Sequence, residues 1–285
     1  MDEIVVVGQV ARDLVLVVDE VPGPGGTAPV RQRREVLGGK GANIASGLAQ
    51  LGAPVALVGV VGDDDVGTRL IARAAADGIA TRNVVVRPDC ATGLIVDVVA
   101  DGWRYLEDLP DGVLLREEDL PLDLIERARA VVVQLQQRPE VALAAARAAQ
   151  GRVVLDGASE QLRDELLACA DVVRADHREA ELLTGRTIRT ADDAISAARE
   201  LMPKELVAFA VDDVGNVFVW DGGELVVPLG DVEVVDTTGG GDAFVAALTF
   251  ALTRGDGPEE AAGLAVEASA AAVSHAGGRT RLTGR

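Results

Sequence analysis

The sequence predicts an α/β fold: a three-layer α/β/α sandwich with a mostly parallel central sheet and a small β lid. Three observations predict it. Continuous apolar runs alternate with amphipathic helical patterns through most of the 285 residues, the signature of a parallel sheet covered on both faces. Two stretches, 12–36 and 92–107, break that rhythm with β-type runs and no helix of their own. Two glycine clusters, Gly38 to Gly41 and Gly239 to Gly241, each stand where an apolar helical period begins.

The elements follow in order. The chain enters its first strand at once, Ile4-Val5-Val6-Val7, which Gly8 closes. The helix over 41–51 carries its apolar period through Ile44, Leu48 and Leu51, and Gly52 stops it. Strands are expected at 55–60, 130–134, 152–155, 171–174 and 205–211, where the runs are short and apolar. Helices are expected at 65–76, 139–149, 160–168, 178–184, 191–201, 241–254 and 258–274. The lid takes its turns from Val21-Pro22-Gly23-Pro24-Gly25-Gly26 and a two-stranded excursion from Leu94–Val99 and Trp103–Leu106.

Composition limits the function. Net charge is −19, from 27 basic and 46 acidic residues, a surface that repels nucleic acid and anionic membrane. A phosphate-bearing substrate therefore needs a local positive device. No apolar run approaches the ~18 residues of a membrane span, and the N-terminus shows no signal-peptide pattern. Cys90 and Cys169 have neither metal-ligand spacing nor a disulfide framework, and His177 and His275 are isolated. A reduced, cytoplasmic protein is the expectation. Lysine occurs only at Lys40 and Lys204, and asparagine only at Asn43, Asn83 and Asn216. The hexapeptide Gly38-Gly39-Lys40-Gly41-Ala42-Asn43 holds one of each. Lys40 and Asn43, three apart, share one side of a first helical turn and offer donors to a polyhydroxylated ligand.

The segment Asp236-Thr237-Thr238-Gly239-Gly240-Gly241-Asp242-Ala243-Phe244 follows the β-branched run Val232-Glu233-Val234-Val235. Glycines there leave the first amides of the next helix open to close approach by an anion, and the helix dipole adds to the attraction. Asp242 sets a carboxylate within one turn of that point. A phosphate cradle with a base beside it suits phosphoryl transfer to a hydroxyl. A glycine-rich loop with capping aspartates is the plainer alternative.

These two signatures, with the leading Gly8-x-x-x-x-Asp13, resemble the PfkB-type carbohydrate kinases, most closely the ribokinases. The resemblance runs from about residue 4 to about 280 and implies a single ribokinase-like kinase domain over 1–285. It implies that Asp242 is the catalytic base and that Gly239, Gly240 and Gly241 form the anion hole. A carboxylate near pKa ~4 is ionised at pH 7, so Asp242 needs no raised pKa. Asp13, Gly38, Gly39, Lys40, Asn43 and Gln136 match acceptor-binding positions, and Asp236 and Thr238 match a loop around a monovalent cation, K+. Asp176 and Glu179 fall at an Asn-x-x-Glu motif, where Glu179 acts on ATP through Mg2+ and water; a first-turn carboxylate favoured by the dipole is an equal alternative. Asp212 and Gly215 fall at the adenine-side loop.

Departures from the ribokinase pattern bear on the acceptor. Ala11 replaces an asparagine, Gln136 a glutamate, Asp176 an asparagine, and Asp212-Asp213 a Gly-Ser pair. Losing two hydroxyl partners weakens the case for ribose more than for sugar phosphorylation. Expected partners are ATP and a small sugar, with a homodimer through the lid; Trp103 and Tyr105 would cover substrate or form that contact. A nucleoside kinase of the same fold is the alternative, weakened by 2% aromatic content. A non-catalytic sugar- or nucleotide-binding sensor is another. A dehydrogenase fits less well, because Gly8-Gln9-Val10-Ala11 lacks the dinucleotide glycine spacing.

Overall fold

A computed structural model describes residues 3–100, 102–201, 203–228, 239–274 and 282. Its main sheet contains β1 (Ile4–Val7), β4 (Val55–Gly62), β5 (Ala80–Arg87), β8 (Ala130–Gln134), β9 (Arg152–Asp156), β10 (Val172–Asp176), β11 (Leu206–Val211), β12 (Gly215–Trp220) and β13 (Gly223–Val227). Their order is β13-β12-β11-β10-β9-β8-β1-β4-β5, parallel from β11 to β5, with β12 and β13 antiparallel at one edge. A second, four-stranded sheet, in the order β3-β2-β6-β7, is made of β2 (Ala11–Val18), β3 (Val30–Gly38), β6 (Gly93–Val99) and β7 (Trp103–Asp108). This is the expected lid, fed by both irregular stretches.

Strand periodicity divides the core. Val5 and Val7 face one layer and Ile4 and Val6 the other, because successive strand side chains point to opposite faces. The first layer holds α4 (Pro139–Ala148), α6 (His177–Thr184) and α7 (Ala191–Leu201), through residues such as Val141, Leu183 and Ala197. With them lie α3 (Leu122–Arg127) and α5 (Arg163–Cys169), through Ile125 and Leu166. The second layer holds α1 (Lys40–Gln50), α2 (Asp65–Ala76), α8 (Gly240–Arg254) and α9 (Pro258–Val273), through Ile44, Leu70, Leu248 and Ala265.

Several elements correct the sequence reading. β5, β12, β13 and α3 are additional. β5 is only half-buried, and Arg82 and Asn83 cut its apolar run to Val84-Val85-Val86. The helix expected at 160–168 starts at Arg163, after Leu162 turns left-handed at φ 55°. The strand expected at 171–174 extends to Asp176, which makes that residue both strand end and helix cap.

Two close approaches set the geometry of the second layer. A Cβ on Gly41 would stand 2.6–2.9 Å from the backbone of Gly8 and Gln9, so α1 rests directly on the end of β1. A Cβ on Gly47 would stand 2.7 Å from that of Ala246, so α1 and α8 cross almost backbone to backbone. Gly41→Ala is expected to destabilise the fold by about 1–3 kcal/mol, because backbone has nowhere to move. Gly263→Ala, exposed on α9 with nothing near its Cβ, should instead stabilise by about 0.5–1 kcal/mol. Urea melts of both variants check the pair; equal midpoints would contradict the packing described.

Candidate active site

A cavity of about 530 Å³ opens where β8, β10 and β11 end and α1 and α8 begin, lined by Gln136, Arg174, Asp176 and Asp212 from the strand side. The carboxyl rim of a parallel sheet is where such folds hold ligands. Gly39, Lys40 and Asn43 contribute from α1, and Gly239, Gly241 and Asp242 from α8.

The crossing of α1 on α8 fixes the centre. One turn before the Gly47–Ala246 contact on each helix stand Asn43 and Asp242, and Asn43 Nδ2 donates to Asp242 Oδ2 at 3.0 Å. Asp242 is 8% exposed yet lines the cavity. Gly239 caps α8 in the left-handed region, φ 75°, a conformation that costs glycine little. Among the described residues no backbone carbonyl binds the amides of Gly240, Gly241 or Asp242; the first amide engaged is that of Ala243, to the Gly239 carbonyl. Amides at a helix start are the groups that bind an anion, and among the described residues these three meet no backbone acceptor.

Behind this point lies a buried charge cluster in which sequence reasoning found Lys40, Asp176 and Glu179 but missed Arg174 and Asp156. Arg174 Nη1 donates to Asp156 Oδ1 at 3.1 Å and lies 3.9 Å from Glu179 Oε2. Lys40, expected at the acceptor, extends its ammonium to 3.6 Å from Glu179 Oε1. Asp176 and Glu179 form a capping box at the start of α6: Asp176 Oδ1 accepts from the Glu179 amide at 2.9 Å, and Glu179 Oε2 accepts from the Asp176 amide at 2.8 Å. Glu179 is therefore a cap, and its other oxygen still faces Lys40. Burial, and then the charge of Asp156, push the Asp242 carboxyl up to about 6, against the lowering pull of Lys40, Asn43 and Arg174. The sequence-based expectation of an unshifted carboxylate is corrected here. Burial works against the Lys40 ammonium, but Asp156, Glu179 and Asp242 outweigh it and hold its pKa above the usual value.

The lid supplies the opposite wall. Asp13, Ile95 and Glu107 lie in register across β2, β6 and β7, and all three line the cavity. Two-residue periodicity brings Trp103 and Tyr105 to the same face as Glu107, and both line the cavity, their rings T-shaped at 6.2 Å. Burial, and then Glu107, Asp13 and Asp97, hold the Tyr105 phenol above its usual pKa, so it stays a hydroxyl donor. This wall is acidic and aromatic.

The remaining expected residues divide. Gly38 underlies Asp13, whose carboxylate occupies the space of a side chain there. A Cβ on Gly240 would meet Val273 at 2.7 Å, so this glycine also lets α9 pack on α8. Gly215 opens β12 at φ 118° and is outside the cavity lining. The Asp212 amide donates to His177 Nδ1 at 3.1 Å, which ties the β11–β12 turn to α6. Asp236 and Thr238 lie outside the described residues. Among the described residues no three His, Cys, Asp or Glu side chains group as a metal cluster, and no helix is long and apolar enough to cross a membrane. A larger hollow, about 820 Å³, lies at the strands' opposite ends. Its Arg152 and Lys204 pair with Glu205 and Asp171, beside helix C-termini that attract cations.

Comparison with known proteins places this geometry. Residues 1–283 match the pfkB family carbohydrate kinase profile. Mouse (Mus musculus) ribokinase is 30% identical over 262 residues, covering 87% of this chain and 81% of the relative. An ATP-dependent ribose-1-phosphate kinase of Halopiger xanaduensis is 33% identical over 259 residues, covering 87% and 84%. The structure of Arabidopsis thaliana ribokinase complexed with ribose and ATP superposes at TM-score 0.80, with 25% identity, 97% of this chain and 94% of that chain.

The raised Asp242 pKa has a consequence for stability. From 3.8 to about 6, the carboxyl binds its proton more tightly when folded, so its contribution is full at low pH and is lost as pH rises through 6. Above that, the ionised form costs roughly 3 kcal/mol. Asp242→Asn is expected to melt higher than the parent at pH 8, by a margin that shrinks at pH 5. Thermal denaturation at the two pH values checks this; a variant less stable at pH 8 would contradict it.

Proposed function

As the chain belongs to the pfkB family of carbohydrate kinases, we propose that it moves the γ-phosphoryl group of ATP to a primary hydroxyl of a small, unphosphorylated sugar. The carrying observation is Asp242, held by Asn43 at the start of α8, where no carbonyl of the described residues takes the amides of Gly240, Gly241 or Asp242. The acceptor hydroxyl lies between that carboxylate and the lid. Asp242 takes its proton as the oxygen attacks phosphorus, and the amides at the start of α8, those of Gly240 and Gly241 first, hold the charge on the transferred group. Lys40 and Arg174 are the cationic side chains lining the cavity among the described residues, and in a chain of net charge −19 they supply the positive device that ATP needs.

The residues also suit Mg2+. Asp156 Oδ2 is buried without a hydrogen-bond partner among the described residues, and Glu179 is near; oxygen donors of this kind hold Mg2+ together with substrate phosphates and water. When bound, the ion neutralises phosphate charge. Glu179 and Asp156 would orient it.

The acidic wall supports a free sugar as the acceptor. Asp13 and Glu107 face the acceptor end with Gln136 and Tyr105; they pair with hydroxyls and repel a second phosphate. Trp103 and Tyr105 favour a second reading, a nucleoside whose base lies on these rings. Transfer from [γ-³²P]ATP to ribose, 2-deoxyribose, fructose, ribose 1-phosphate and adenosine tests both. Turnover of a free sugar, with Asp242→Asn at least about a hundredfold slower, is the expected result. Turnover of ribose 1-phosphate alone would contradict it, and turnover of adenosine alone would select the nucleoside reading.

The rate should also rise with pH through about 6 as Asp242 ionises. Asp156→Asn removes the neighbouring negative charge that raises this pKa, so the limb should move to lower pH. A limb that stays in place, or moves up, would separate it from Asp242.

A further inference from the structure

We propose that Arg174 is a second phosphoryl-binding group, whose Nη2 edge donates to the γ-phosphate oxygens beside the Gly240 and Gly241 amides during transfer. The proposal rests on the kinase reading above and adds a residue outside both glycine signatures.

Position is the first argument. Arg174 lies on β10, and its guanidinium presses against the start of α8: a Cβ on Gly241 would stand 2.7 Å from Nη2 and 3.2 Å from Cζ. Glycine at 241 is what admits the guanidinium next to the helix-start amides. Cζ also sits 6.0 Å from the centre of the Phe244 ring, one turn into α8.

Unfinished hydrogen bonding is the second. Arg174 is 9% exposed, and its contact with Asp156 uses one N–H and one oxygen, Nη1 to Oδ1. A guanidinium present only to neutralise a carboxylate would present its fork to both oxygens. Here Asp156 Oδ2 and Arg174 Nε are buried with no hydrogen-bond partner among the described residues, and the contact with Asp156 is made by Nη1, not by Nη2. Buried polar groups are rarely left so. An Arg–Asp pair buried for stability alone gains little over apolar residues of the same volume, whereas a fixed guanidinium beside open amides matches the oxygens of a phosphoryl group.

The chemistry balances without Arg174 changing any bond. The acceptor hydroxyl gives its proton to Asp242, its oxygen bonds to the γ-phosphorus, and the bond from that phosphorus to the β–γ bridging oxygen breaks. The electron pair leaves on ADP. Arg174 donates hydrogen bonds to the non-bridging oxygens, over which the charge of the transferring group is spread as it passes between the two.

Calorimetry with ADP, and with ADP plus aluminium fluoride, tests this without an acceptor. Arg174→Met should bind ADP within about threefold of the parent, yet lose at least about tenfold of the added affinity that aluminium fluoride confers. In the transfer assay its kcat should fall at least about a hundredfold. A parental kcat in Arg174→Met, or an undiminished aluminium fluoride effect, would overturn the proposal. If Arg174→Met fails to fold, Arg174→Lys keeps the charge beside Asp156 and should still lose at least about tenfold in kcat; parental kcat in that variant would overturn it. Should the parent transfer no phosphate to any acceptor while Arg174→Met still loses the aluminium fluoride effect, the kinase reading fails and the Arg174 assignment stands.

Discussion

The near-contact of α1 with α8 at Gly47 and Ala246 is the constraint on which the site depends. Both helices start at the carboxyl rim of the sheet, and their axes approach closely because neither carries more than a methyl group at the crossing. One turn back, this closeness brings Asn43 to hydrogen-bonding distance of Asp242. A larger residue at 47 would separate the two first turns, and Asp242 would lose both its orientation and a group that favours its ionised form. The contact of Gly41 with Gly8 does the same on the strand side, fixing α1 to the end of β1.

On that frame the site concentrates opposing charges out of water. Asp156, Glu179 and Asp242 share a small volume with Lys40 and Arg174. The result is uneven: Asp242 is raised to about 6, while the two cations are held firmly charged. A base with a pKa just below neutral is mostly ionised at pH 7 and accepts a proton more readily than an ordinary carboxylate. Stability opposes this arrangement, since a buried carboxylate is costly, which fits the proposed role of Asp242 in catalysis.

Much of this was legible in the sequence. The alternation of apolar runs and helical periods gave the layers, and the glycine signatures located both helix starts and Asp242, because backbone needs of that kind leave glycine at fixed positions. The rest depended on pairing. Arg174 sits in Val172-Val173-Arg174-Ala175, which reads only as a short buried strand. An arginine inside an apolar strand near its carboxyl end is a signal in itself, since it is seldom buried without a partner, but Asp156 as that partner is visible only once β9 and β10 are adjacent. The row Asp13–Ile95–Glu107 likewise joins residues far apart in sequence through lid register. β5 escaped notice because its polar residues hide an edge strand.

In the proposed reaction one hydroxyl meets Asp242 while one phosphoryl group meets the start of α8. A crystal structure with ADP, aluminium fluoride, Mg2+ and the acceptor sugar measures this directly. The expected result is an acceptor oxygen about 2.6–3.2 Å from an Asp242 carboxylate oxygen and fluorides on the Gly240 and Gly241 amides. An acceptor whose hydroxyls all lie away from Asp242, or a fluoride group seated elsewhere in the cavity, would contradict it.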